Sequence, residues 1–240
     1  MPYWWGARGI GMIKGKVIAA LGPDAPLDSW DLVFKPENLA KLSSCGVAFL
    51  DAPNEIFAAA LHYLGKDSNS QDVKDYQGEA KALLKQLVPS VTYFHSSKYI
   101  DDLAAGEICV AVGWSGDIAQ AKVDAEEAKN GVDITYVIPK EGAQQFFDIL
   151  ALPKDAANVD AAHAFINFLM TPAIAAENTD YIWYPNPIPA SLPMINPEIT
   201  GDPSIYPPPE VMARLYVLAI KSPAVDRAMN RAWTEVKTNR

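Results

Sequence analysis

Glu107-Ile-Cys-Val-Ala-Val-Gly-Trp-Ser-Gly-Asp117 is the stretch from which the rest of the chain is read. A short β-branched apolar run, Ile108 to Val112, breaks at Gly113 and presents Trp114 and Asp117 where an alanine-rich helical segment begins. In an open α/β sheet, the end of a strand that leads into a helix faces a crevice, and ligands collect there. An indole face beside a carboxylate suits an organic cation, which the ring attracts through its quadrupole and the carboxylate through charge-assisted hydrogen bonds. The plainer alternative is a tryptophan that packs and an aspartate that caps a helix over residues 118–130. Both readings stay open on this stretch alone.

Working outward, residues 47–50 read as a buried strand, and Pro53 opens a helix over 54–64 that Gly65 stops. Glu55 falls in the first turn of that helix, where the dipole favours a carboxylate whatever its function. Residues 66–76 are polar and loop-like, 78–87 have helical apolar spacing ended by Pro89, 91–94 form a short strand, and Ser96 or Ser97 caps a helix over 98–105. This alternation predicts βαβ crossovers, a mostly parallel sheet and the α/β class. Towards the front, residues 3–13 are extended, 16–21 are helical up to Gly22-Pro23, Ser29 caps 30–34, and 36–42 form another helical piece. Gly6, Gly9 and Gly11 make no dinucleotide fingerprint, because no strand precedes them and no capped helix follows in place.

Towards the rear, residues 132–139 and 146–152 are strands joined by the turn Lys140-Glu-Gly-Ala143, either a hairpin or two crossing segments. Asn158 caps a helix over 159–170, and Pro172 opens another to about 179. Residues 181–209 are rich in proline and aromatics and wrap a surface, and 210–220 and 224–236 close the chain as amphipathic helices.

Composition narrows the function. Half of the 240 residues are hydrophobic and a fifth are charged, enough for one large domain or two lobes. Twenty-nine acidic residues against 20 basic give a net charge of −9, which argues against nucleic acid and suits cationic ligands. No apolar run approaches the ~18 residues of a membrane-spanning helix. The opening residues lack the basic start and continuous apolar stretch of a secretory signal, so the expectation is either a mature sequence or a natural start further upstream.

Enzyme machinery is hard to assemble. His62, His95 and His163 show no metal-binding spacing, no CxxC exists, Gly113-Trp-Ser-Gly-Asp117 places its second glycine one position too early for a nucleophile elbow, and no Walker lysine follows a glycine-rich turn. Nothing calls for a cofactor or a metal. Glu55 with Asp117 could in principle serve glycoside hydrolysis, but aromatics with carboxylates at strand ends describe a cation cage at least as well. Cys45 and Cys109, the two cysteines, each flank a strand-like run; a bridge between neighbouring strands and two buried free thiols are both consistent with that.

Gly-Trp-Ser-Gly-Asp117, Phe-Leu-Asp-Ala-Pro-Asn-Glu55, Phe146-Phe-Asp148 and Ile-Trp-Tyr184, in one order, resemble the polyamine-binding periplasmic proteins of bacterial ABC transporters, above all their putrescine-binding branch. Further likenesses run nearly end to end, among them Trp30-Asp31-Leu, Leu64-Gly-Lys-Asp, Tyr93-Phe-His-Ser-Ser, Pro139-Lys-Glu-Gly-Ala143 and Ile205-Tyr-Pro-Pro. The resemblance implies a type II, two-lobed periplasmic-binding-protein fold that closes on a linear diamine such as putrescine and delivers it to an inner-membrane permease, with no catalysis and a periplasmic location. It puts the ligand positions on Glu55, Trp114, Asp117, Phe146, Asp148 and Tyr184, and a disulfide on Cys45 and Cys109. Family members carry a secretory signal and most of a first lobe before the point where this chain starts. The expected layout is therefore a complete second lobe from residues 4–128 and 196–240, with 129–195 a remnant of the first. The competing expectation is a fragment that binds no diamine and serves, if at all, as a protein-interaction module.

Overall fold

One long strand, β1 (Pro2–Ile13), runs through the middle of the sheet and determines which residues meet. The computed structural model describes residues 1–238. Around β1 stand β2 (Val47–Phe49), β3 (Tyr93–Phe94), β4 (Val110–Trp114), β5 (Ile134–Val137), β6 (Gln144–Ile149) and β7 (Tyr216–Val217), in the order β3-β2-β4-β1-β6-β7 with β5 also on β1. The pairs β2–β3, β2–β4 and β6–β7 are parallel; β1 is antiparallel to β4, β5 and β6. The expected mostly parallel sheet is thus a mixed one. Helical crossovers keep β2, β3 and β4 parallel, whereas β1 runs against each of the strands it pairs with.

The helices are α1 (Lys14–Leu21), α2 (Asp31–Phe34), α3 (Pro36–Leu42), α4 (Pro53–Tyr63), α5 (Val73–Gln77), α6 (Glu79–Leu87), α7 (Tyr99–Ala104), α8 (Ser115–Ala128), α9 (Val159–Leu169), α10 (Pro172–Ile182), α11 (Pro197–Thr200), α12 (Pro209–Met212) and α13 (Pro223–Lys237). The main core joins Ile10 and Met12 of β1, all of β2 and most of β4 to apolar faces of α2, α3, α4 and α6, and to Val225, Met229, Trp233 and Val236 of α13. Trp30 is fully buried in it and donates its indole N–H to the Gly142 carbonyl at 2.8 Å. A second, smaller cluster gathers Ala176, Ile195, Ile199 and Ile205, with Trp183 and Tyr206 against it. Helix α9 buries none of its residues: Phe165 and Phe168 are 59% and 54% exposed.

Three local expectations change, and one that was left open is decided. The loop over 66–76 contains the start of α5, because Asp72 caps it by accepting from the Lys74 N–H at 2.9 Å and Tyr76 is buried. Neither serine caps α7; the His95 Nδ1 accepts from the N–H groups of Ser97 and Lys98 at 3.1 and 2.9 Å. Residues 210–220 are not one helix, since after α12 the Tyr216 N–H bonds to the Ala143 carbonyl at 3.0 Å and β7 pairs with β6. Strands β5 and β6 do not form a hairpin: β5 pairs with residues 10–13 of β1 and β6 with residues 2–7, so the turn between them carries the chain from one stretch of β1 to the other.

Cys45 and Cys109 form a disulfide with their Cα atoms 5.4 Å apart. They lie just ahead of β2 and β4, whose parallel register sets Val47 beside Val110 and so brings the two cysteines together.

Candidate functional site

The residues that pair across β1 build the site. Arg8 of β1 lies opposite Trp114 of β4, Gly6 opposite Phe146 of β6, and Trp4 opposite Asp148. Because side chains alternate along a strand, Phe146 and Asp148 share one face of β6. Helix α4 contributes Glu55 from its first turn, α8 contributes Asp117 from its first turn, and Tyr184 follows the end of α10. These six residues and Phe147 line one cleft of about 380 Å³. All the positions singled out from the sequence therefore meet in one place, and Phe147 joins them.

Two glycines of the opening stretch make this possible. A Cβ on Gly113 would collide with the ring of Tyr99, and one on Gly116 with the ring of Tyr184. Both tyrosines thereby reach Asp117: the Tyr99 hydroxyl donates to Oδ2 at 2.7 Å and the Tyr184 hydroxyl to Oδ1 at 2.9 Å. The Asp117 N–H in turn donates to the Tyr184 hydroxyl at 3.2 Å. Asp117 is thus not a cap. Helix α8 begins at Ser115 with Trp114 as its N-cap and no side-chain cap bond, and the Asp117 carboxylate is held by phenols instead.

Burial raises the Asp117 carboxyl above the ordinary aspartate value, opposed by the two phenol hydrogen bonds, which favour the ionised form. Burial first, and the neighbouring Asp117 charge second, push the Tyr99 and Tyr184 phenols far up, so both keep their protons and remain donors. Asp148, on the more open wall, is also raised, by its partial burial alone. Phe146 stands edge-on to Tyr184 with ring centroids 5.9 Å apart, which leaves a ring face for a ligand's methylene groups.

Glu55 plays a different part. Its Oε2 accepts from the Trp114 indole N–H at 3.0 Å and from Arg8 Nη1 at 3.3 Å. The carboxylate thereby holds the indole plane, while Arg8, fully buried, holds the carboxylate. Sequence reasoning missed Arg8 and Tyr99. Arg8 had a visible signal, a lone charge inside the apolar run Trp-Trp-Gly-Ala-Arg-Gly-Ile-Gly-Met, where a buried arginine needs a carboxylate partner. Tyr99 had none.

Chemically, the cleft offers carboxylates in a partly desolvated setting with aromatic faces between them. The histidines lie elsewhere: His62 Nε2 is 2.6 Å from the Glu141 carbonyl, His95 Nδ1 accepts from the Lys98 N–H ahead of α7, and His163 sits on the exposed α9. Among the described residues, no group of three or more His, Cys, Asp or Glu side chains is placed to hold a metal ion. No single described helix is long and apolar enough to cross a membrane; α9 and α10 reach that apolarity only as a pair bent by 73°.

The family described as "Bacterial extracellular solute-binding protein" matches residues 14–207. The chain is 53% identical over 240 residues to the putrescine-binding periplasmic protein PotF of Escherichia coli (strain K12), and 55% identical over 240 residues to the putrescine-binding periplasmic protein SpuD of Pseudomonas aeruginosa (strain UCBPP-PA14). Each match covers all of this chain and 65% of the relative, so the chain spans about two thirds of their length. A solved structure titled as a putative spermidine/putrescine ABC transporter from Listeria monocytogenes superposes with a TM-score of 0.86 at 31% identity, over 100% of this chain and 69% of that one. The α/β fold is that of the type II periplasmic binding proteins.

Proposed function

This chain belongs to the bacterial extracellular solute-binding proteins, and from that premise we propose that it binds a short linear diamine of the putrescine type as the substrate-binding component of an ABC transporter. The observation that carries the reading is the half-buried Asp117 carboxylate, held between two tyrosine hydroxyls in a cleft that also holds Asp148, Trp114 and Phe146. An ammonium group is a fitting counter-charge for such a carboxylate, and a second carboxylate in the same cleft suits the second ammonium of a diamine. The ring faces line the alkyl chain and add cation–π attraction. Binding, not catalysis, is the proposed role, with release to an inner-membrane permease and a periplasmic location.

The proposed layout is a large lobe built on the main core, from residues 4–128 and the returning C-terminal segment, and a smaller part over 129–195. Ile199 and Ile205 pack with Ala176 in the smaller cluster, which favours drawing the return to the large lobe after them.

Calorimetric titration with putrescine against its neutral isostere 1,4-butanediol tests the function. Saturable binding of the diamine and none of the diol is the expected outcome. Heat from neither ligand would favour the competing reading, a chain that acts through protein contacts, for which the exposed phenylalanines of α9 are the supporting feature.

A further inference from the structure

We infer that Arg8 sets the charge of the cleft: it cancels Glu55, orients Trp114 through it, and leaves the two uncompensated carboxylates, Asp117 and Asp148, that a doubly charged amine matches. This rests on the polyamine reading above and deepens it. Arg8 is completely buried, and a guanidinium stays charged at any accessible pH. Its Nη1 lies 3.3 Å from Glu55 Oε2, while Nε and Nη2 are buried without a hydrogen-bond partner among the described residues. Asp117 and Asp148, by contrast, form no ion pair among the described residues. Three carboxylates face the cleft, and only one has a cation behind it.

The same Glu55 oxygen accepts the Trp114 indole N–H at 3.0 Å. Register fixes both ends of the relay, because Arg8 and Trp114 are direct partners across β1 and β4. Arg8 is not among the residues that line the cleft. It is a positioning residue that acts through Glu55. Without it, Glu55 would become a third free anion, and the cleft would suit a triply charged amine better than a doubly charged one.

The experiment is a calorimetric series with butylamine, putrescine and spermidine, carrying one, two and three positive charges, on the wild-type chain, Arg8→Met, Glu55→Gln and the double variant. Arg8→Met is expected to shift the affinity ratio of spermidine over putrescine upward by about tenfold, and Glu55→Gln to shift it downward by a similar factor. The double variant is expected to return to the wild-type ratio. It replaces the ion pair by neutral groups, so it retains the fold better than either single change; if Arg8→Met does not fold, Glu55→Gln against the double variant still reads the same shift. The Trp114 indole N–H signal in 15N NMR, assigned by Trp114→Phe, is expected to move in Arg8→Met as it does in Glu55→Gln. Affinities that fall together with the ratios unchanged, or an unmoved indole signal in Arg8→Met, would overturn the role of Arg8. Absence of amine binding by the wild-type chain would overturn the polyamine reading itself, and the charge matching with it.

Discussion

Replacing Asp117 by asparagine separates function from stability. The substitution keeps shape and one carbonyl acceptor but removes the charge. In the wild type the two carboxylate oxygens accept from Tyr184 at 2.9 Å and Tyr99 at 2.7 Å. Asparagine keeps one of these bonds, and its NH₂ donates to the other phenol, which turns to accept, so the hydrogen-bond count barely changes. The carboxyl is raised by burial, which means that the fold disfavours its ionised form. Stability near neutral pH is therefore expected to hold within about 1 kcal/mol or to rise. Affinity for putrescine moves the other way. Loss of a charge-assisted contact in a closed, partly desolvated cleft costs about 2–4 kcal/mol, which is roughly 30- to 900-fold in Kd. A cleft that water enters freely would reduce the loss to about 1 kcal/mol. Titration calorimetry and urea unfolding in one buffer read both quantities. Affinity unchanged in Asp117→Asn would refute the reasoning, since Asp117 would then be a structural group; a joint collapse of stability and affinity would refute the claim that its charge is spent on ligand.

Raised carboxyls make a pH prediction: putrescine affinity should begin to fall above the ordinary carboxylate range as the buffer is acidified, because Asp117 and Asp148 take up protons early, and calorimetry in buffers of different ionisation enthalpy should record protons released on binding. On stability the sign is opposite, since a raised carboxyl favours the fold below its unfolded value and that contribution is lost as pH rises through the folded one; an Asp117→Asn variant should lose that part of the pH dependence of urea unfolding. Reduction of Cys45–Cys109, which closes a loop of sequence separation 64, should lower the unfolding free energy by about 4 kcal/mol on the chain-entropy account, and thiol titration of denatured, non-reduced protein should find no free thiol. Hydrogen exchange should be faster over α9 than over β4, because α9 buries none of its residues while Val110, Ala111 and Val112 are fully buried, and the exposed Phe165 and Phe168 should promote self-association that sedimentation would detect; equal protection in a monomer would contradict this.

Much of the architecture was legible because it is local. Glycine and proline punctuation marks α4, and the run from Ile108 to Asp117 announces both β4 and the start of α8. What the sequence hid depends on distant pairing. The direction of β1 is set by partners distant in the sequence, such as Trp114 for Arg8 and Phe146 for Gly6, which periodicity does not report. Tyr216 looks helical in its own segment and becomes a strand only because β6 offers it an edge. At the site, residue types at strand ends and the family resemblance singled out the six positions that line the cleft, but not the hydrogen bonds among them. Tyr99 lies 18 positions from Asp117, Tyr184 lies 67 from it, and Arg8 lies 47 from Glu55. Asp117 therefore read equally well as a helix cap, and Glu55 as a carboxylate that its helix dipole favours whatever its function.

The central claim is that a diammonium ligand sits between Asp117 and Asp148 against Trp114, and 13C NMR of the side-chain carboxyl signals with and without putrescine tests it most directly. The account predicts saturable shifts of the Asp117 and Asp148 carboxyls and of the Trp114 indole, with the exposed Glu37 and Glu210 carboxyls unmoved. Saturable binding that leaves Asp117 and Asp148 unshifted, or that moves residues outside this cleft instead, would contradict it.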